Sequence, residues 1–564
     1  MRDFCIGAAA LKRLEAELAA KAAATLPLLV ELAWHLRQRD GRQALALADR
    51  AQRLLASDGA DLALRARLHL VRAEVDAFWS RIDSAERWLA EARTLLPEAG
   101  DPSLAGDALL IEALLARAAG DHARELRACE VLTQGPRAPI AAAMLALLRA
   151  AMPGQGTDSG NDDADDANDP VDSDELAAAS YANAARALRR LPHDPPAAAG
   201  LFRRAAVQAV ETGLLRHAVI CDLNAADIWR DLADYDAAAA CLNGAEQAAE
   251  RSQAPVLVAT CRTRIGCLLR HLGHLSPSRG MLVSALRCFA LIPPCLNTAN
   301  AWYDLALTLI EMGRAAEALE AIGKAISIHG GSVHPLNLTM YRIARARILA
   351  RAGDPVAALA AIEQARQLID DHGLAALMLS VDEALAEIHR THCLLPPPQG
   401  MKAPSAAIHY ALSALRRGLR IEGWKAPASM CQFLAQAWAE AGDLAQAYDY
   451  MQKALEAKEL ELAMQPKNPK ALLRLLLRNG DGAAPLGELP ADESALAQKL
   501  TPKEREVMRL LAQHQSNKEI ALAMGISGET VKTHLRSIYT KLKVGTRRHA
   551  IAWARNAGLV GQLA

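Results

Sequence analysis

The sequence is poor in aromatic residues and has no alternating runs of β-branched residues. Phenylalanine, tryptophan and tyrosine make up 4% of its 564 residues, whereas alanine, leucine, glutamate and arginine dominate. These last residues favour helices, while strands are enriched in β-branched and aromatic side chains. The composition argues against a sheet-based fold and predicts an all-α protein.

Net charge, paired cysteines and long apolar runs are also lacking. Lysine plus arginine equals aspartate plus glutamate at 64 residues each, so the overall charge identifies no partner. The ten cysteines include no CxxC pair, which predicts buried thiols in a reducing compartment. Asp3, Lys12 and Arg13 interrupt the apolar run that a signal peptide needs, and no run is long enough to span a bilayer. We expect a cytoplasmic protein without a membrane segment.

The charges are distributed unevenly along this neutral chain. From Leu500 to Ala564 there are 11 Lys/Arg and 4 Asp/Glu, an excess of +7, which leaves −7 for the preceding residues because the total is zero. A basic C-terminal region that follows an acidic body is the first indication of function.

A repeat of about 40 residues runs through most of the chain. In the clearest unit, small and apolar residues have the spacing of a helical hairpin, with a glycine in the turn. Each hairpin has an apolar face that it cannot bury alone, so neighbouring hairpins stack into a solenoid with a concave binding surface. The pattern of the clearest unit consists of Trp302, Leu305, Ala306, Leu309, Gly313, Ala318, Ile322 and Ala325.

These repeats resemble tetratricopeptide (TPR) units of the longer kind found in large bacterial regulators. The resemblance covers roughly residues 10–465 and is strongest between Leu223 and Leu368. It implies a TPR-like α-solenoid that receives a signal or a partner. Concave TPR surfaces bind peptides, proteins or small ligands, and the sequence does not separate these three classes of inducer.

Two segments predict boundaries, the first because it lacks the apolar content needed to fold and the second because of its turn-forming composition. Residues 153–175 contain nine acidic residues and no basic one, which indicates a disordered linker between repeat blocks 1–152 and 176–465. Residues 466–499, rich in glycine, proline and acidic residues, indicate a hinge before a C-terminal domain, 500–564. The acidic linker is interpreted as a solvated spacer, with masking of the basic region in an autoinhibited state as the alternative.

The C-terminal domain has the start signals of four short helices. Thr501 and Glu504 predict a capping box, with Pro502 at the first helical position. Ser527 is expected to cap the third helix. The other signals are Ser516 and Glu519 at the second helix, Thr546 at the start of the fourth and Gly558 at its end.

The third of these helices has an apolar face and a basic face. Val531 and Ile538 belong to a stripe with helical spacing that predicts the buried side. Gly525 allows a tight turn from the second helix, so that the pair forms a helix-turn-helix whose second helix enters the major groove of DNA. Lys532 and Arg536 lie one turn apart on the other side, where each can donate two hydrogen bonds to guanine.

The whole segment resembles the LuxR-type helix-turn-helix of bacterial transcription factors, through "LTPKEREVMRLLA", "SNKEIA", "TVK" and "KL". The resemblance implies base reading by Lys532, Thr533 and Arg536, and dimerisation through the fourth helix. The phosphate-contacting residues that it implies are Asn517, Lys518, Thr530, Lys541 and Arg547, and the dimerisation residues are Ile551, Trp553 and Ala554.

These features predict a sequence-specific transcriptional regulator in which the TPR-like solenoid controls a DNA-binding domain. We expect a homodimer on double-stranded DNA that works with RNA polymerase, without enzymatic activity or cofactor. Large LuxR-family activators have a similar architecture, but this sequence contains no GxxxxGK[ST] loop of an ATPase. Two alternatives are a scaffold whose tail does not bind DNA, and a metal site at His389, His392 and Cys393.

Overall fold

The chain folds as two units, Met1–Leu477 and Arg478–Ala564, in the computed structural model. Every regular element among the described residues is a helix, and these residues include no strand. The predicted all-α fold is therefore confirmed. The described residues are 3–20, 25–58, 61–119, 121–135, 137–151, 173–328, 335–421, 424–463, 501–512, 517–524 and 526–542.

The first unit is a helical array. Its described residues form 22 α-helices and a 3₁₀ helix at Ala375–Leu377. The α-helices are α1 (Ala8–Ala20), α2 (Leu26–Leu36), α3 (Gly41–Asp58), α4 (Leu62–Phe78), α5 (Ile82–Ala99), α6 (Pro102–Ala119), α7 (His122–Leu132), α8 (Ala138–Ala151), α9 (Ser173–Arg190), α10 (Pro195–Thr212), α11 (Leu215–Asp231), α12 (Tyr235–Ser252), α13 (Pro255–His271), α14 (Leu275–Phe289), α15 (Leu296–Glu311), α16 (Ala315–Ser327), α17 (Pro335–Arg351), α18 (Pro355–His372), α19 (Met378–Thr391), α20 (Ala406–Gly418), α21 (Ala428–Glu440) and α22 (Leu444–Ala463).

Consecutive helices pack as hairpins in the region where the sequence repeat is clearest. Helix α13 packs on α14, α15 on α16 and α17 on α18. The turns of these hairpins contain Gly273, Gly313 and Gly353, whose φ angles are +77°, +76° and +90°. Side chains are strained in this left-handed region, so glycine is favoured there. The hairpin register predicted around Gly313 is confirmed.

Small residues set the distance between the two helices of a hairpin. A Cβ added to Gly266 of α13 would lie 2.7 Å from Cγ of Leu282 on α14 and 3.3 Å from the Ser278 carbonyl oxygen. Ala306 and Ala318 are fully buried in the next hairpin. Interiors as densely packed as crystals leave no room for a larger side chain at such a crossing. The repeated alanine and glycine residues therefore mark the positions where two helices cross closely.

The acidic segment is an insertion in the array, although the sequence predicted that it divides two blocks. Helices α8 and α9, on either side of it, pack against each other. Tyr181 of α9 and Met144 of α8 belong to one apolar core. Residues 152–172 lie outside the described part of the chain. The sequence repeat does not reveal that α8 packs on α9, because two helices can pack together whatever the length of the segment inserted between them.

The predicted linker also extends three residues too far, because α9 begins at Ser173. Asp174 and Glu175 lie in the first turn of this helix, where the helix dipole favours negative charge. The composition of the acidic run grouped these two residues with the linker. The hinge predicted at 466–499 falls outside the described residues.

The sequence predicts no membrane-spanning segment, and the length and polarity of the helices test this. None of the helices in the described ranges is both long and apolar enough to cross a bilayer.

Candidate nucleic-acid interface

The described residues of the second unit form three short helices that pack on one another. They are α23 (Pro502–Ala512), α24 (Asn517–Met524) and α25 (Gly528–Leu542), which match the first three predicted helices. The fourth predicted helix lies outside the described residues. The side chains buried between the three helices are Val507, Met508, Leu510, Leu511, Ile520, Val531, Leu535 and Ile538.

Two of the predicted helix caps are present. The Thr501 backbone N–H donates to the Glu504 carboxylate at 2.8 Å, and the Glu504 N–H donates to the Thr501 hydroxyl at 3.3 Å. This reciprocal pair is the predicted capping box. At α25, the Thr530 N–H donates to the Ser527 hydroxyl at 3.1 Å. Both caps satisfy N–H groups that a helix start leaves without a partner inside the helix.

The predicted division of α25 into a buried and an exposed side is confirmed where side chains are described. Val531 and Ile538 are fully buried, whereas Lys532 and Thr533 are exposed. Two of the three residues predicted to read bases, Lys532 and Thr533, therefore lie on the exposed side of α25.

The phosphate-contacting residues of the prediction lie at helix starts and near the end of α25. Asn517 and Lys518 are the first two residues of α24, where backbone N–H groups attract anions. Thr530 is exposed, and its hydroxyl lies 2.8 Å from the Ser527 hydroxyl within the cap. These positions stay predictions for DNA contact.

Lys541 has a partner inside the unit. Its ammonium donates to both carboxylate oxygens of Glu504, at 2.8 and 2.6 Å, and the Ser537 hydroxyl donates to the same carboxylate at 2.7 Å. Glu504 exposes 3% of its surface. Burial alone would raise the pKa of Glu504, but hydrogen bonds from Lys541, Ser537 and Thr501 outweigh it and lower the pKa to about 2. The carboxylate is therefore charged and links α23 to the last turn of α25.

Sequence reasoning missed this link because it assigned each residue one local role. Glu504 was interpreted as part of a cap, and Lys541 as a phosphate contact. The helical position of Lys541 contains a signal, since Lys541 lies three positions after the buried Ile538, on the same side of the helix. A cation that borders the buried stripe is close to the neighbouring helix, whereas Lys532 projects from the opposite side.

The remaining residues predicted for the interface lie outside the described residues; they are Arg547, Ile551, Trp553 and Ala554. Their roles in phosphate contact and dimerisation stay predictions.

The alternative metal site has other contacts. His389 stacks on Tyr410 with ring centroids 5.3 Å apart, and burial lowers its pKa. Nε2 of His392 lies 2.8 Å from the Ala350 carbonyl oxygen, while Cys393 is exposed. Within the described ranges, no three His, Cys, Asp or Glu side chains are grouped to hold a metal ion.

Residues 498–554 match the family model described as "Bacterial regulatory proteins, luxR family". The match includes all three described helices of the second unit and extends beyond them. The C-terminal part of this chain therefore carries a LuxR-type helix-turn-helix domain, attached to a TPR-like helical array.

Several curated relatives share this part of the chain. The HTH-type transcriptional regulator AlkS of Pseudomonas putida is 29% identical over 171 residues, which cover 27% of this chain and 19% of that protein. The HTH-type transcriptional regulator MalT of Vibrio campbellii is 40% identical over 57 residues, which cover 10% and 6%. The chain thus spans less than a fifth of the length of either of these two relatives.

Among solved structures, a Rap protein complexed with competence and sporulation factor is similar with a TM-score of 0.46. Its sequence identity is 11%, and the alignment covers 72% of this chain and 100% of that chain.

Proposed function

We propose that this protein is a bacterial, cytoplasmic, sequence-specific transcriptional regulator. Its TPR-like array senses a ligand or a protein partner and controls the LuxR-type domain, without catalysing a reaction or holding a cofactor. The observation that carries this proposal is the two-sided α25, with Val531 buried and Lys532 exposed in a domain of the LuxR type. A scaffold that does not bind DNA would not need this exposed basic face.

In this proposal, Lys532, Thr533 and Arg536 read base edges in the major groove. Lysine and arginine can donate two hydrogen bonds to guanine, and threonine contributes a hydroxyl or methyl contact. Asn517 and Lys518 receive a phosphate at the start of α24. Thr530 and Arg547 are further phosphate contacts.

Lys541 combines a structural and a binding role in the proposed complex. An ammonium group has three N–H donors, and two of them are directed at Glu504. The third can donate to a phosphate oxygen without breaking the link between α23 and α25. Lys541 would then both fix the angle of α25 to α23 and contact the DNA backbone.

The proposed regulator acts as a homodimer on paired half-sites. Two copies double the number of base contacts, and the distance between half-sites follows from the geometry of the dimer. Ile551, Trp553 and Ala554 are proposed to form the dimer contact, and RNA polymerase is the proposed partner at the promoter.

A selection experiment with the full chain tests the proposal. The protein is mixed with a library of random DNA duplexes, and the bound fraction is sequenced. We expect an enriched motif, and we expect Lys532→Ala or Arg536→Ala to cost about 1–3 kcal/mol on that motif. Lys503→Ala, which removes an exposed cation from α23, is the charge-matched control.

Two results would contradict the proposed base reading. One is that no motif is enriched and that the binding of DNA duplexes does not weaken as the salt concentration rises, which would favour a scaffold. The other is an equal loss of affinity for the motif and for random duplexes in the Arg536→Ala variant.

A further inference from the structure

The segment Asp3–Gly7, called here the Phe4 segment, is non-helical but lies largely buried in the first unit. Phe4, Cys5 and Ile6 expose only 2%, 4% and 9% of their surfaces. The segment precedes α1 and contacts side chains from the turn after α2 and from α9. It occupies a groove, one wall of which, Asp174, lies 170 residues from Phe4 along the chain.

Charged side chains hold the backbone of this segment. The Asp174 carboxylate accepts the N–H groups of Phe4 and Cys5 at 3.1 and 3.0 Å. Arg37 donates to the Phe4 carbonyl at 3.1 Å, and Arg39 donates to the Ile6 carbonyl at 2.6 Å. All four bonds involve main-chain groups, which any peptide sequence without proline at these positions can supply.

The side-chain contacts select for an aromatic residue at the position of Phe4. Its ring meets Trp34 edge-on, with centroids 5.7 Å apart and an interplanar angle of 80°. The guanidinium groups of Arg37 and Arg137 lie 4.4 and 5.9 Å from the ring centroid. Edge-to-face and cation–π contacts both depend on an aromatic ring.

The next position takes a small neutral side chain. Cys5 is buried, and burial raises the pKa of its thiol to about 12, so it is an uncharged thiol at neutral pH. The groove therefore recognises an aromatic residue, then a small one, then an apolar one such as Ile6.

The walls of the groove are held by bonds among themselves. Arg37 contacts Glu74 at 2.5 Å, while Arg137 contacts Asp107 at 2.8 Å and Asp174 at 2.7 Å. Gln38 also donates to Glu74, and Arg67 to Asp107. Because these ion pairs do not involve the Phe4 segment, the groove is preorganised to keep its shape when the segment leaves.

A glycine leaves space for one of the clamping residues. A Cβ on Gly213, whose φ is +84°, would lie 2.1 Å from Nε of Arg39. Apolar contacts alone could bury a segment that served only as core, with a smaller desolvation penalty than charged groups impose. A backbone clamp made of an aspartate and two arginines is instead typical of a site that binds a chain segment.

We propose that this groove is a peptide-recognition site that the Phe4 segment occupies in cis. A short peptide with an aromatic residue, a small residue and an apolar residue in succession displaces the segment and takes over its bonds to Asp174, Arg37 and Arg39. The role of this peptide as the inducer rests on the proposed function, in which the array controls DNA binding. Peptide binding itself is measured without DNA.

Competition in cis determines how the site is tested. A tethered segment has an effective concentration on the order of millimolar, so a free peptide binds the wild-type chain weakly. Phe4→Ala weakens the tethered competitor and leaves the groove intact. The probe is the acetylated peptide DFCIGA, the sequence of residues 3–8, labelled at its C-terminus and kept reduced, and its fluorescence anisotropy is measured.

We expect full-length Phe4→Ala to bind the probe at least about tenfold more tightly than the wild type. A second change, Asp174→Asn, and a probe with alanine in place of phenylalanine should each reverse this gain about tenfold. Phe289→Ala removes an equally buried phenylalanine far along the array and should leave probe affinity at the wild-type level. A folded Phe4→Ala variant that does not bind the probe would overturn the proposal.

Hydrogen exchange on the wild-type chain gives a result even if Phe4→Ala does not fold. Millimolar probe should speed amide exchange at Phe4 and Cys5, because their N–H groups lose Asp174. Unchanged exchange of both amides at saturating probe would overturn the proposal. Selection of a DNA motif by the same protein is a separate result, so failure of the peptide site and failure of DNA binding can be distinguished.

Discussion

The two units place their charged side chains differently. Around the Phe4 segment, Arg67 and Asp107 expose 2% and 0% of their side chains and are paired with each other. In the second unit, Lys532 is exposed on α25, and the buried Glu504 pairs with Lys541, whose side chain remains about one-third exposed. The charged side chains of Arg67 and Asp107 around the Phe4 segment are thus buried and paired, whereas Lys532 on α25 is exposed to solvent.

This difference shows what each kind of charge can do. A buried charge must be paired, so it fixes the positions of its partners and makes a groove rigid. An exposed cation attracts a polyanion such as DNA over a distance of about 8–10 Å before contact, and salt weakens that attraction. The array is suited to shape recognition, whereas the basic face of α25 is suited to binding a polyanion.

The largest expected effect comes from breaking the buried network. Asp107→Ala leaves the buried Arg67 and Arg137 without their shared carboxylate, so we expect the free energy of unfolding of the array to fall by about 3–5 kcal/mol. Urea unfolding of the full chain, followed by circular dichroism, measures the change.

Asp49→Ala is the matched control for Asp107→Ala. Asp49 also pairs with an arginine, Arg72, at 2.7 Å, but its side chain is 65% exposed. Such surface pairs contribute about 0–1 kcal/mol. Equal losses for the two variants would show that burial does not distinguish these ion pairs.

A smaller effect is expected for the one buried carboxylate described in the second unit. Glu504→Gln removes the charge that links α23 to α25, and we expect about 1–2 kcal/mol less stability because Lys541 is still partly solvated. Hydrogen exchange of Val507 to Leu511 in the full chain reports this loss. Adding Lys541→Met should cost little more, and two fully additive losses would argue against the link.

The two units should also lose stability in different pH ranges. Burial lowers the pKa of His35 and His217 in the array from 6.5 to about 3. Their neutral forms contribute stability that is fully present above pH 6.5 and is lost as the pH falls towards 3. The lowered pKa of Glu504 makes a contribution that is present above pH 4.5 and lost as the pH falls towards 2.

A comparison of unfolding at pH 7 and pH 5 isolates the array. Its stability should decrease over this range, and His217→Phe, which can keep the stack on Tyr181, should make the decrease smaller. Asp222 acts in the opposite sense, because burial raises its pKa to about 6 and its contribution grows as the pH falls. If the stability of the His217→Phe variant depends on pH as that of the wild type does, His217 is not a source of the pH dependence.

The smallest expected effect concerns Lys518, a cation at the start of α24 that is not predicted to read bases. Lys518→Ala should weaken binding to all duplexes alike and reduce the slope of log affinity against log salt by about one unit. Titrations at several salt concentrations, on the selected motif and on a random duplex, measure this. Loss of motif preference in Lys518→Ala would assign it a base contact.

Particular residues show how far the sequence alone was informative. The Thr501–Glu504 cap, the turn at Gly313 and the buried Val531 were all predicted, because each depends on interactions within a few residues along the chain. The partner of Lys541 was not predicted, since Glu504 is 37 residues away and already had a local role. The continuity of α8 with α9 was missed because the two helices pack across an insertion, and the order of residues does not show such packing.

The sequence by itself determined that this chain is helical, where the hairpins of its clearest repeats turn, and that it ends in a LuxR-like motif. Helical period, caps and glycine turns are local, so they can be seen directly in the order of residues. Only the tertiary structure decided that Phe4 lies in a groove closed by Asp174. That contact joins residues 170 positions apart, and it depends on how successive helices pack, which no local pattern encodes.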